Sequence, residues 1–159
     1  MTIRAMEERD ADEVVRMSLL AWAPVFASFE LVLGSAIYRR IYPDWEASQR
    51  AAVTAVCLDT EAIEVWIATV GEPVAGFIAI GMDQTSRAGE VEPLAVHLGH
   101  QGRGIGTALN TFALARMREA GMRLAVAGTG GDPGHAPGRR SYENAGYTGL
   151  PMVRYYRGL

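Results

Sequence analysis

One mixed α/β domain is the expected fold, and three features of the 159-residue chain point to it. Runs rich in β-branched residues alternate with helix-like runs from Thr2 to Tyr156. Apolar residues make up 49% of the chain against 21% charged, enough for one substantial core. No linker, repeat or low-complexity segment divides the sequence, so residues 1–159 read as a single domain.

Thr2 to Met6 is the first strand, and Asp10 with Glu13 reads as a capping box opening a helix with Val14, Met17 and Ala21 on one face. That helix should stop before Pro24, because an interior proline removes a hydrogen bond and clashes with the preceding turn. Leu31 to Ile41 has helical spacing at Leu33, Ile37 and Ile41, and Asp44 can cap a third helix reaching about Leu58. Glu64 to Val70 and Val74 to Met82 flank the turn Gly71-Glu72-Pro73 and form an antiparallel hairpin. Gly89 to Val96 is a further strand.

After the polar loop Leu98 to Gly104, the residues Ile105, Ala108, Leu109, Phe112, Ala113, Met117 and Ala120 mark one side of a long helix that Gly121 ends. Arg123 to Ala127 is a short strand, and Gly128 to Gly138 a loop with five glycines and two prolines. Arg139 to Ala145 is a short helix closed by Gly146, and Met152 to Tyr156 a last strand.

Composition removes several classes of function. The single cysteine, Cys57, rules out an internal disulfide framework and any multi-cysteine metal site, in keeping with a cytoplasmic protein. All 15 basic residues are arginine, so neither a P-loop lysine nor a Schiff-base lysine exists. The start of the chain is charged and lacks the apolar core of a signal peptide. Pro24, Glu30 and Arg39 interrupt the most apolar region, which argues against a membrane span. An acidic balance of −3 without an aromatic-interleaved basic stripe argues against nucleic acid. The charge is unevenly distributed: residues 1–100 hold seven arginines against fifteen acids, and residues 101–159 hold eight against three. Either this is ordinary surface variation, or a basic half for an anionic ligand and an acidic half for a cationic one would bring two oppositely charged substrates together.

The chemistry concentrates in Gln101-Gly102-Arg103-Gly104-Ile105-Gly106, between a strand and the long helix. Glycines there admit positive φ angles and close approach, and the first free N–H groups of the helix point at bound negative charge. A P-loop would need Gly-Lys-Ser/Thr. A dinucleotide fingerprint would need G-x-G-x-x-G followed by a βαβ crossover, and neither is present. A coenzyme A pyrophosphate loop remains. Gln101, Gly104 and Gly106 match Q/R-x-x-G-x-G/A, the signature of the GNAT superfamily of acyl-CoA-dependent N-acyltransferases, which the sequence resembles. Glu90 to Val96 is similar to that family's central strand, and Ser141-Tyr142-Glu143-Asn144-Ala145-Gly146-Tyr147 to its closing helix and strand. The order of elements agrees across essentially the whole chain.

The resemblance implies a GNAT fold: a mixed sheet of six to seven strands, splayed at the middle and flanked by four to five helices. It implies acetyl-CoA as co-substrate, with Leu94, Ala95 and Val96 along the pantetheine and Gln101, Gly102, Arg103, Gly104, Ile105, Gly106 and Thr107 around the pyrophosphate. Splayed strands also account for Pro93, which a fully paired strand would tolerate poorly. Tyr142 matches the family's general acid beside the coenzyme sulfur. Glu90 and Glu92, two apart on a strand, share a face near the acyl group, and either suits the role of base. His135 stands where the family commonly has an asparagine that touches the coenzyme, in a loop more glycine-rich than usual.

His97 and His100 lack a third partner for a metal, and no metal is expected. Trp22, Phe26, Phe29, Tyr38, Tyr42 and Trp45 crowd the segment that builds the acceptor side in this fold. Core packing is the default for most of them, with Tyr155 and Tyr156 as candidate additions to an acceptor wall. The expected activity is direct acetyl transfer to a primary amine of a small molecule, since Cys57 lies far from the motif. A catalytically silent acyl-CoA sensor and a protein N-acetyltransferase are the alternatives, and a homodimer is the default assembly.

Overall fold

The computed structural model describes residues 1–159. β1 (Thr2–Ala5) leads through a 3₁₀ turn into α1 (Ala11–Leu33), α2 (Ser35–Ile41) and α3 (Trp45–Leu58). β2 (Ile63–Thr69), β3 (Val74–Asp83) and β4 (Ala88–Val96) follow as an antiparallel meander. α4 (Ile105–Glu119) then crosses over to β5 (Leu124–Ala127), and α5 (Ala136–Asn144) is the last regular element. The sheet runs in the order β1-β2-β3-β4-β5, with β4 and β5 parallel and the other pairs antiparallel.

The sheet has five strands rather than six or seven. Met152 to Tyr156 has strand-like composition, but residues 148–159 lie exposed without regular structure. β-branched and aromatic residues favour a pleated, half-buried surface, and here the segment has no neighbouring strand to supply one.

α1 does not stop at Pro24. It continues to Leu33, where Gly34 at φ 76° breaks the backbone. Pro24 denies the Leu20 carbonyl its usual donor, a loss that eight buried residues from Val14 to Ser28 outweigh by docking the helix on the sheet. By length and composition this helix could cross a membrane, yet half of its apolar stretch is buried in the protein's own core.

The expected cap is also rearranged. Asp10 accepts two hydrogen bonds from the Arg4 guanidinium, at 2.7 and 2.9 Å, and a third from the Glu7 N–H at 2.8 Å. Glu13 instead receives the Val74 N–H at 2.9 Å, which ties α1 to the start of β3. Asp44 caps α3 as expected, accepting from the Ala47 N–H at 3.0 Å.

Two cores sandwich the sheet. On one face Val14, Met17, Val53 and Cys57 of α1 and α3 meet Ile67, Phe77 and Ala95. On the other Ile105, Leu109, Ala113 and Met117 of α4 meet Ile78, Ile80 and Val91. Val91 and Ala95 lie four apart on β4 and would share a face in a regular strand. A register shift opposite Ile78–Ile80 inserts an extra residue at Glu92–Pro93 and turns the strand over. Pro93 therefore sits in the bulge, where its missing N–H costs no ladder bond.

Candidate active site

The β4–β5 ladder pairs Ala88, Glu90 and Val91 with Leu124, Val126 and Ala127, and ends there. From Glu92 onward β4 has no neighbour on that side, and the two strands frame an open wedge. A cleft of about 550 Å³ occupies it. α1 walls one end, β4 from Glu92 to Val96 and the loop into α4 run along it, and the Gly128–Gly138 loop and α5 close the far side.

At the loop end, Gly102 and Gly104 adopt φ angles of 74° and 80°, in the left-handed region that glycine enters without strain. The first turn of α4 closes with the Ala108 N–H donating to the Gly104 carbonyl at 2.9 Å. Ile105, Gly106 and Thr107, whose N–H groups precede that bond and have no partner within the helix, line the cleft. The Gln101 amide donates to the Val96 carbonyl at 3.1 Å and fastens the loop to the end of β4. His100 lines the same end with its Nδ1 buried and unpartnered. An unpaired strand edge ending at a glycine-opened helix N-terminus fits an extended chain that carries a pyrophosphate.

The cleft brings together most of the residues singled out in the sequence: Glu92, Leu94, Ala95, Val96, Gln101, Gly102, Gly104, Ile105, Gly106, Thr107, His135 and Tyr142. Glu90 is outside it, paired level with Val126 where the ladder is still closed, whereas Glu92 is the first residue past the ladder's end. The Glu92 carboxyl lies over Gly81 of β3, where a Cβ would make ordinary contact with its Oε1 at 3.5 Å. The Arg103 side chain is exposed and does not line the cleft.

Tyr142, on α5, projects from the opposite wall. Burial, with a smaller contribution from Tyr147, pushes its phenol up to about 12. The Tyr147 ring meets it edge-on at 5.5 Å. α5 is set by its neighbour: the Asn110 amide of α4 donates to the Ser141 hydroxyl at 2.8 Å. Gly106 permits the approach, since a Cβ there would lie 2.9 Å from the Ser141 oxygen.

The glycine-rich loop is braced from both sides. Arg139 donates to the carbonyls of Gly130 and Asp132 at 2.6 and 2.8 Å. Gly134 rests against α1, where a Cβ would meet Val25 and Ser28 within 3.0 Å. The His135 Nδ1 bonds the Asp132 carboxylate. Burial alone would raise that carboxyl, but hydrogen bonds from His135 and Ser28 and the His135 charge hold it below the ordinary range.

Of the aromatic residues, Trp22 lines the cleft and contacts Phe77 edge-on at 6.4 Å. Phe26, Phe29, Tyr38, Tyr42 and Trp45 pack against one another, with Phe26 stacked on Trp45 at 4.4 Å. Tyr155 and Tyr156 do not line the cleft. Cys57 is buried in the core, and that burial pushes its thiol up. No group of three or more His, Cys, Asp or Glu residues is arranged to hold a metal. Sequence reasoning did not place Ala21, Pro24 and Val25 at the cleft. From sequence alone, a proline inside a helical run reads as a terminator and not as part of a wall.

The sequence profile of the Acetyltransferase (GNAT) family matches residues 31–147. The chain belongs to the GNAT acetyltransferase family. Solved structures with the same fold include the aminoglycoside 6'-N-acetyltransferase AAC(6')-IG from Acinetobacter haemolyticus, at 14% identity and TM-score 0.68, covering 100% of this chain and 99% of that one. AAC(6')-Iy, solved with the bisubstrate analogue CoA-S-monomethyl-acetylneamine, is 16% identical with TM-score 0.66, covering 99% and 97%. A ribosomal-protein-alanine N-acetyltransferase from Brucella melitensis biovar Abortus 2308 is 22% identical with TM-score 0.60, covering 99% and 98%. A search of curated protein sequences returns no match. In this GNAT protein the splay expected of the family is the wedge that opens after Val91.

Proposed function

We propose that this GNAT protein transfers the acetyl group of acetyl-CoA directly to a primary amine of a small molecule. The observation that carries the reading is the wedge itself, with Glu92 and Tyr142 on the same cleft and a free helix N-terminus at its end. The small-molecule amine substrates named for the two aminoglycoside acetyltransferases of the same fold support that acceptor class.

Acetyl-CoA supplies the activated thioester. The main chain of Leu94 and Val96 aligns the pantetheine arm as an added strand, and the amides from Gln101 to Thr107 receive the pyrophosphate. The Glu92 carboxylate accepts a proton from the incoming ammonium, freeing the nitrogen lone pair to attack the acetyl carbon. As the carbon–sulfur bond breaks, Tyr142 gives its phenolic proton to the departing sulfur, and the nitrogen sheds its second proton on becoming an amide, which restores the phenol and leaves one proton on Glu92. A phenol at about 12 keeps that proton throughout the neutral range, and the burial that raises it also raises the basicity of a thiolate expelled beside it. With Cys57 enclosed in the core, no nucleophilic thiol faces the cleft to carry the acetyl group.

Tyr142→Phe tests this reading. Loss of a general acid typically costs about 10²- to 10⁴-fold in rate. Amine-dependent thiol release should fall by at least about 10²-fold, while acetyl-CoA affinity measured by calorimetry stays within about twofold. Unchanged turnover removes Tyr142 from the chemistry.

A further inference from the structure

The fifteen acids of residues 1–100 do not form an acidic site, because Glu92 is the one that reaches the cleft. The others hold the fold or face solvent. Asp10 pairs with Arg4 and Glu64 with Arg116, Glu13 holds the Val74 N–H, and Asp44 caps α3. Asp132, in the basic half, is committed to His135 and does not line the cleft.

The α1 wall of the cleft is apolar. It consists of Ala21, Trp22, Pro24 and Val25 of α1, with the Trp22 ring held against Phe77. Arg140 lines the cleft and adds positive charge. One carboxylate compensates one ammonium. A second or third ammonium entering this space finds no further carboxylate to pair with and meets the like charge of Arg140. An aromatic or aliphatic body recovers hydrophobic energy against the same wall.

From this juxtaposition we infer that the acceptor is a monoamine with an apolar, ring-bearing body, its nitrogen at Glu92 and its body against Trp22, Pro24 and Val25, and that polycationic amines are poor acceptors. The inference rests on the acetyl-transfer reading above.

The test measures kcat/KM for thiol release from acetyl-CoA with 2-phenylethylamine and tryptamine against spermidine and neamine. The arylalkylamines should exceed both polycations by at least about tenfold, the factor that 1.4 kcal/mol of differential binding produces. Pro24→Glu, which adds a second carboxylate at an exposed position of the wall, should narrow that ratio by raising turnover of spermidine and neamine. Equal or better turnover of either polycation by the unaltered protein overturns the inference and leaves acetyl transfer standing. Absence of turnover with all four amines, in protein that binds acetyl-CoA by calorimetry, overturns both.

Discussion

At the scale of single residues, Asp10 shows how one carboxylate can serve as a buckle. It joins β1 to the start of α1 through two bonds from Arg4 and one from the Glu7 N–H. The Arg4 hydrogen bonds are the leading cause holding its carboxyl below the ordinary range; burial opposes them, and the Glu7 bond reinforces them. A depressed carboxyl stabilises the fold above its unfolded value, near 3.9, and loses that contribution as pH falls through the lower folded value. Urea midpoints of the unaltered protein should therefore drop as pH falls below about 4. Asp10→Asn should be less stable at neutral pH and flatter through the acid range. Parallel curves for the two proteins would refute the assignment. The sequence signalled a polar residue opening α1 but not its partner, because Arg4 sits on a strand and no local spacing connects it to Asp10. Asn110 was legible in principle, since it lies three before Ala113 and seven before Met117 on the apolar stripe of α4. A polar residue in such a stripe announces a buried hydrogen bond.

At the scale of elements, the meander and the glycine-opened helix were readable, because alternation, a tight turn and helical spacing are all local signals. Pro93 foretold the bulge for the same reason. Pro24 misled, since the rule that proline ends a helix is local while the force that carries α1 through it is packing. The final strand misled in the opposite sense: Met152 to Tyr156 has the composition of a strand and no partner to make it one. The α4–α5 contact lay beyond local reading, as it joins residues 31 apart. Its importance can be measured. Asn110→Ala removes the donor to the part-buried Ser141 hydroxyl, and the net loss of one hydrogen bond costs about 0.5–1.5 kcal/mol. Stability from urea unfolding should fall by that amount. Because Tyr142 follows Ser141 directly, kcat should fall more than the KM for acetyl-CoA rises. A proportionate change in both would mean general loosening rather than misplacement of the phenol.

At the scale of the whole molecule, the charge asymmetry was real as arithmetic and uninformative as layout. Acids concentrated in residues 1–100 are dispersed through caps, ion pairs and exposed surface, so a net balance along the chain does not map onto the two ends of a cleft. Glu92 lines the cleft and Glu90 does not, a difference invisible in the sequence because the end of the β4–β5 ladder is a property of the sheet. A ligand that binds only the folded protein stabilises it by mass action, by about 2.7 kcal/mol at a hundred times its dissociation constant. Acetyl-CoA at that excess should raise the thermal midpoint by several degrees, while free adenine should not. An unchanged midpoint would mean that the wedge is not the coenzyme site.

The short ladder between β4 and β5 also shapes how the molecule comes apart. β2, β3 and β4 follow one another in sequence and zip through hairpins, whereas β5 joins them along four residues after an intervening helix. That seam has few bonds and a long loop to close, so it forms late and opens early. Opening it carries β5 away from β4 and takes the wedge between them apart, while the meander keeps its own hairpin pairing. The part of the molecule that holds the cleft is thus bounded by a four-residue ladder, as short as the one joining β1 to β2, and its local unfolding costs less than that of the meander. Loss of the site and loss of the fold are separate events, and the first can occur without the second.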